Sequence, residues 1–139
     1  MDPNKLYEPR VREYIDPATF EQIVGLDDDD DMSFTKSMLS SFYDQFQDSI
    51  KEMEQALAAK DLPGLSSSGH FLKGSSAALG LWRIQDCCEK IQHLGFQKDE
   101  SGAVSIDNPQ ICLDRISELL ILVKQIFTET KNAISYLGF

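Results

Sequence analysis

Apolar residues recur along most of this chain at the three- and four-residue spacings of amphipathic helices. The pattern predicts helices at about residues 17–25, 33–60, 65–80, 82–97 and 109–137. Asp61-Leu62-Pro63-Gly64 and the polar segment 98–108 separate neighbouring helices, because proline, glycine and clustered polar residues favour turns. No stretch alternates in the two-residue period of a strand, so the chain is predicted to be all-α.

Four of these helices are long, and most of their connections are short. Amphipathic helices joined in this way pack as an antiparallel four-helix bundle, here with a short extra N-terminal helix, over residues 17–139. Asp16-Pro17 is a typical helix start, with a capping carboxylate followed by proline in the first turn. Residues 1–16 carry mixed charge and two prolines, and we expect them to form a flexible N-terminal arm.

Composition narrows the classes of partner. The chain has 13 basic and 23 acidic residues and a formal charge of −10, which disfavours nucleic acids and anionic membranes. Proteins with a basic rim around their docking surface fit better. Three cysteines without framework spacing, and the absence of an apolar segment near the N-terminus, predict an intracellular protein with reduced thiols. We expect it to be a monomer.

An unbroken acidic run covers residues 27–31. One interpretation is a solvated loop whose last member caps the following helix, where negative charge favours the positive end of the helix dipole. The other is a patch that recruits basic residues of a partner. The two interpretations are compatible.

The segment 67–80 places a histidine on the outward face of its helix. The predicted core positions are Leu65, Leu72, Ser76 and Leu79. His70 lies about 200° from Leu72 around a helix of 100° per residue, on the same side as Lys73, Gly74 and Ala77. A glycine inside a helix costs about 1 kcal/mol relative to alanine, and here it removes bulk beside the imidazole.

An exposed imidazole with small neighbours suits nucleophilic chemistry. A neutral ring nitrogen can attack a phosphoryl group in line if a bulky donor reaches it. Lys73 brings positive charge, worth about 1–1.5 kcal/mol for a doubly charged group ~6 Å away in water. The Ser75 hydroxyl could bond the other ring nitrogen or the backbone. The spacing alone also allows an alternative interpretation, in which His70 is a surface histidine without a role and Gly74 serves helix packing.

The run His70-Phe71-Leu72-Lys73-Gly74-Ser75-Ser76-Ala77-Ala78-Leu79-Gly80-Leu81 resembles the phosphorylation-site helix of histidine-containing phosphotransfer domains, above all the fungal phosphorelay intermediates of osmosensing. The segment 88–95 resembles the next helix of that family. The strong resemblance covers roughly residues 17–97. Residues 98–139 match only in helical character, and the chain lacks the long connection that precedes the last helix of the fungal relative.

The resemblance implies His70 as the phosphoacceptor, Lys73 as electrostatic support and Gly74 as the clearance residue. Phosphate would come from the receiver aspartate of a hybrid histidine kinase and pass to that of a response regulator. The carrier would need no metal or cofactor of its own, because Mg²⁺ belongs to the receiver, and it would work in cytoplasm and nucleus. The docking positions implied are Ile23, Leu26, Asp27, Asp29, Asp30, Phe34, Met38, Phe71 and Gln92, whose apolar members could equally be core.

The sequence gives less support to a functional role for other residues and to other functions. His93 is expected to be a plain surface histidine and Trp82 a packing residue, while the adjacent Cys87 and Cys88 point about 100° apart and form no metal motif. A competing function is a bundle that binds receivers without being phosphorylated. An autonomous kinase is disfavoured because the sequence has no Gly-rich nucleotide loop.

Overall fold

The computed structural model describes residues 1–28 and 30–139, and these residues form seven α-helices. Their bounds are α1 Pro3–Leu6, α2 Pro9–Arg12, α3 Pro17–Val24, α4 Ser33–Ala58, α5 Leu62–Ala78, α6 Trp82–Gly95 and α7 Pro109–Tyr136. No β-strand occurs in this described part, which contains only a single bridge between Lys98 and Ser105. The predicted all-α class is confirmed.

The four long helices close into a bundle. Each packs against the next along the chain, and α4 also packs against α7. Side chains on the inward stripes form one core, in which the rings of Phe46 on α4 and Phe127 on α7 stack with centroids 3.8 Å apart. The predicted four-helix bundle is therefore confirmed, with α3 as the expected short helix before it.

The start of α5 differs from the prediction. Asp61-Leu62-Pro63-Gly64 was expected to separate two helices, but all but Asp61 belong to the first turn of α5. The Asp61 carboxylate accepts a hydrogen bond from the Gly64 amide at 3.0 Å, and proline is tolerated in a first turn because no intrahelical partner is lost there. The connection from α4 is correspondingly short.

Residues 1–16 do not form a loosely attached arm, so that expectation was wrong. The side chains of Leu6, Val11 and Ile15 are fully buried in the core. Pro3 and Pro9 each stand in the first turn of a short helix rather than interrupting one.

Polar contacts reinforce this packing of the N-terminal segment. Trp82 Nε1 donates to the Arg12 carbonyl at 2.9 Å. The Tyr14 hydroxyl donates to Glu129 at 2.6 Å, on α7. Trp82 is 40% exposed, and its hydrogen bond to Arg12 ties the indole to the segment that was expected to be free of the bundle.

Candidate functional site

His70 lies in the middle of α5 and is exposed, as the helical pattern predicts. The inward side of the same helix carries Leu65, Leu72 and Ser76, all buried. The buried Ser76 hydroxyl is satisfied by its own helix, since it donates to the Leu72 carbonyl at 2.8 Å. Burial of the inward stripe therefore fixes which way the imidazole faces.

Gly74 leaves open space one turn after His70. A Cβ added at Gly74 would meet no atom within 4 Å outside its local helix backbone, and the residue is exposed. Packing within the domain therefore does not require glycine here. The gap lies on the face of His70, which agrees with a surface kept clear for an incoming molecule.

Two other glycines do serve packing, and the sequence analysis missed both. A Cβ at Gly69 would lie 3.0 Å from the Cys88 carbonyl, and one at Gly95 would lie 2.7 Å from Ser66 Cβ. Gly69 and Gly95 thus let the backbones of α5 and α6 approach closely. The glycines were visible, but the contact they permit depends on the register between two helices.

This close approach brings Gln92 of α6 against the imidazole. Gln92 Nε2 is 3.2 Å from His70 Nδ1, and the structure assigns no hydrogen bond to His70 Nε2 among the described residues. Gln92 Oε1 is buried without a hydrogen-bond partner within the same part of the chain. Gln92, predicted as a docking residue, is therefore in contact with the candidate acceptor itself.

Ser75 and Lys73 have other partners than the imidazole. Of the two alternatives for Ser75, the backbone is the observed one, since its hydroxyl donates to the Phe71 carbonyl at 3.2 Å. Lys73 Nζ lies 3.6 Å from Glu89 Oε1 on α6, and 31% of the Lys73 side chain is exposed. The positive charge expected near a phosphoryl group is thus paired with a carboxylate in this state.

The predicted apolar docking positions lie at or near the surface. Leu26, Phe34 and Phe71 are exposed by 64%, 43% and 54%. Ile23 and Met38 are half-buried against the core. Phe34 and Met38 line a depression of about 290 Å³ between α4 and α5. None of these five side chains belongs to the fully buried core. Leu26, Phe34 and Phe71 therefore lie on the surface and are not core residues.

Phe96 is an exposed aromatic residue that the sequence analysis did not single out. It is 63% exposed and lines a depression of about 460 Å³ together with His70 and Gln92. A signal was present, because Phe96 follows Gln92 by four residues and so shares its side of α6.

Asp27 caps α4. Its carboxylate accepts from the amides of Phe34 at 3.0 Å and Thr35 at 2.8 Å, and from the Thr35 hydroxyl at 2.5 Å. Partial burial acts to raise the pKa of Asp27, but these hydrogen bonds outweigh it and hold that pKa below its usual value. Asp27 is thus engaged inside the domain rather than free for a partner's rim.

The other described residues of the acidic run differ in their contacts. Asp31 accepts from the Ser33 amide at 3.1 Å, so the last member of the run contributes to the helix start as predicted. Asp30 is exposed, and its role in a polar rim stays a prediction. Asp29 lies outside the described residues.

The three cysteine thiols are unsuited to nucleophilic chemistry. Cys87, Cys88 and Cys112 are free and buried, and burial raises the pKa of Cys87 to about 12.

Within residues 1–28 and 30–139, no three His, Cys, Asp or Glu side chains gather as metal ligands do. No helix of that same part is long and apolar enough to cross a membrane.

The four-helix bundle with an exposed histidine is the architecture expected of a histidine-containing phosphotransfer domain, and sequence comparison indicates the same class of protein. The Hpt domain family model matches residues 37–129, more than half of the chain. The chain belongs to the Hpt domain family.

Fungal phosphorelay proteins are among its relatives. Multistep phosphorelay regulator 1 of Schizosaccharomyces pombe is 40% identical over 126 residues, which is 91% of this chain and 42% of the relative. The phosphorelay intermediate protein YPD1 of Candida albicans is 40% identical over 111 residues, 80% of this chain and 56% of the relative. The chain therefore spans about half the length of these curated relatives.

Solved structures of yeast Ypd1 have the same fold as this chain. The crystal structure of yeast Ypd1p superposes with a TM-score of 0.80 at 30% identity, covering 94% of this chain and 98% of that one. A co-crystal structure joins Saccharomyces cerevisiae Ypd1 to the receiver domain of its downstream response regulator Ssk1. Its Ypd1 chain superposes with a TM-score of 0.79 at 33% identity, covering 90% of this chain and 94% of that one.

Proposed function

We propose that this chain is a phosphorelay intermediate, which accepts a phosphoryl group on His70 from a receiver aspartate and passes it to a second receiver. The observation that carries the proposal is the display of His70 on the open face of α5, beside the space left by Gly74. Membership of the Hpt family and the likeness to phosphorelay proteins support it.

The geometry suits Nε2 as the nucleophile. Gln92 occupies the Nδ1 side of the ring, so Nε2 is the nitrogen left for an incoming group. Attack needs a lone pair on Nε2 and hydrogen on Nδ1. Rotation of the Gln92 amide by half a turn supplies this tautomer, because the amide oxygen then accepts from Nδ1–H. Gln92 would orient the ring while taking no part in bond making.

The transfer exchanges one bond for another. In the forward step the phosphorus–oxygen bond of an aspartyl phosphate breaks, a phosphorus–nitrogen bond to His70 Nε2 forms, and the carboxylate leaves. The reverse step on a second receiver regenerates the imidazole. The chain supplies the nucleophile, its orientation and access, and it carries phosphate without a kinase domain.

The docking surface we propose surrounds His70. Its exposed apolar members are Leu26, Phe34 and Phe71, and Phe96 extends it on the α6 side. Phosphate must pass through one histidine from donor to acceptor, so both receivers must use the same surface in turn. A surface of moderate size suits this, because each complex must also dissociate.

The partners we propose are the receiver domain of a hybrid histidine kinase and the receivers of downstream response regulators. The yeast co-crystal, in which a related protein binds one such receiver, supports this choice. We further propose that the protein acts as a monomer in cytoplasm and nucleus, which gel filtration and a fluorescent fusion would test.

A transfer assay tests the function. The protein is incubated with a receiver domain carrying labelled aspartyl phosphate, and acid-labile, base-stable label on the chain is followed. His70→Gln should abolish this label, whereas the matched variant His93→Gln should keep it. Label that survives His70→Gln contradicts the proposal. Receiver binding without transfer would instead indicate an adaptor that is never phosphorylated.

A further inference from the structure

Glu89 lies between two basic side chains at the edge of the candidate site. Its Oε1 is 3.6 Å from Lys73 Nζ on α5 and 3.9 Å from His93 Nε2, one turn further along α6. The Glu89 side chain is 41% exposed, so it has room to shift between them. One carboxylate oxygen therefore lies within ion-pair distance of both Lys73 and His93 once His93 is protonated.

The His93 ring is held in place by the loop that follows α6. Its Nδ1 lies 2.8 Å from the Glu100 carbonyl, and since a carbonyl only accepts, Nδ1 carries the hydrogen. Gly102, at a φ of +79°, packs on the ring so closely that a Cβ there would lie 3.0 Å from Cε1. Nε2 is thus fixed toward Glu89, and protonation there creates an ion pair without moving the ring.

Two other charged side chains of this loop, those of Asp99 and Lys98, are engaged elsewhere. Asp99 Oδ1 accepts from the Ser101 hydroxyl and from amides of its own turn. Lys98 Nζ donates to the Ser105 hydroxyl at 3.0 Å. Glu100 offers His93 its backbone carbonyl. From α5, Lys73 reaches the group only through Glu89. Among the described residues, Glu89 is the carboxylate that lies within 4 Å of a His93 ring nitrogen.

We propose that Glu89 is a positioning residue with two alternating partners: it pairs with Lys73 while His70 is unmodified, and with protonated His93 when Lys73 turns to a phosphoryl group on His70. This rests on the proposed function of His70. Lys73 follows His70 by three residues and shares its face of α5, so a doubly negative group on His70 attracts its ammonium away from Glu89. The released carboxylate is then neutralised by a proton taken from solvent onto His93 Nε2.

This exchange couples phosphorylation to protonation. If phosphorylation of His70 favours protonated His93, protonation of His93 must favour phosphorylated His70 to the same extent. Lys73 in turn gains freedom to support the phosphoryl group without leaving a bare carboxylate behind. The pairing thus makes the Lys73 charge available when it is needed.

The test follows the titration of the His93 ring by NMR, before and after phosphorylation with phosphoramidate. In that reaction the phosphorus–nitrogen bond of the donor breaks, the phosphoryl group bonds to His70 Nε2, and ammonia leaves. In the wild type, phosphorylation should move the His93 titration midpoint up by about 0.5 pH unit, about a threefold gain in proton affinity.

Variants separate the exchange from the direct effect of the added charge. Glu89→Gln and Lys73→Gln should each remove most of the shift. Asp86→Asn should keep it, because Asp86 lies on the same helix but pairs with Lys90 at 3.1 Å. An unchanged midpoint in fully phosphorylated wild type, or a full shift in Glu89→Gln, would overturn the proposal. Absence of label on His70 would contradict the proposed function instead.

Discussion

Replacing Gly74 by alanine should strengthen the fold and weaken phosphotransfer. A Cβ at this position meets no atom within 4 Å outside its local helix backbone. Alanine in a helix interior is favoured over glycine by about 0.5–1 kcal/mol. For a domain of this size, that gain raises the melting temperature by about 2–4 °C. Thermal or urea unfolding measures this part of the prediction.

The transfer rate should move the other way. The new methyl group lies on the face of His70, one turn along, where an incoming receiver must bring its phosphoryl group in line with Nε2. A displacement of 1 Å from the reactive geometry can cost about a hundredfold in rate. We expect about a tenfold loss for Gly74→Ala and about a hundredfold loss for Gly74→Gln, measured as single-turnover transfer from a phosphorylated receiver.

Gly69→Ala is the contrasting control, because its Cβ would lie 3.0 Å from the Cys88 carbonyl. It should lower stability, since the backbone contact between α5 and α6 would have to open. The reasoning on Gly74 would be refuted by a loss of stability in Gly74→Ala. Wild-type transfer rates in both Gly74 variants would refute it equally.

Three further predictions concern docking, the N-terminal segment and pH. Phe34→Asp should weaken receiver binding at least tenfold with little change in melting temperature, because Phe34 is 43% exposed; titration calorimetry and thermal unfolding check both parts. Ile15→Ala should cost about 2–5 kcal/mol in urea unfolding, because the side chain is fully buried; a loss below 0.5 kcal/mol would mean that residues 1–16 are not packed in solution. Asp27→Asn should destabilise the domain at pH 7, and the difference should shrink as the pH falls below the usual aspartate pKa. The pKa of Asp27 is lowered on folding, so its contribution is present above the usual aspartate pKa and is lost as pH falls through the lowered value. A pH-independent difference would contradict this.

The bundle could be predicted because helical periodicity is a local property of the sequence. The inward stripe of α5, with Leu65 and Leu72, is readable from spacing alone, and it fixes the outward direction of His70. Gly74 could be singled out for the same reason, since its face of the helix follows from the residue count.

Features that depend on contacts between distant segments could not be predicted in this way. The contact of Gln92 with His70 requires the register of α6 on α5, which Gly69 and Gly95 set by close backbone approach. Asp27 caps a helix that begins six residues later, a spacing outside the usual capping patterns.

The N-terminal segment differs from the prediction for another reason. Proline often indicates irregular structure, whereas Pro3 and Pro9 stand where helices tolerate them best. Two helices of four residues each are too short to show a periodic apolar stripe, so the burial of Leu6, Val11 and Ile15 depends on the surface that α7 and the rest of the bundle provide.

The most direct measurement of the central claim is the NMR spectrum of the protein, labelled with ¹⁵N at histidine, after transfer from a phosphorylated receiver. We predict phosphorus–nitrogen coupling at Nε2 of His70 and none at either nitrogen of His93. Coupling at His70 Nδ1 or at His93, or a phosphorylated chain without phosphohistidine, would contradict an account built on an exposed Nε2 beside the open space at Gly74.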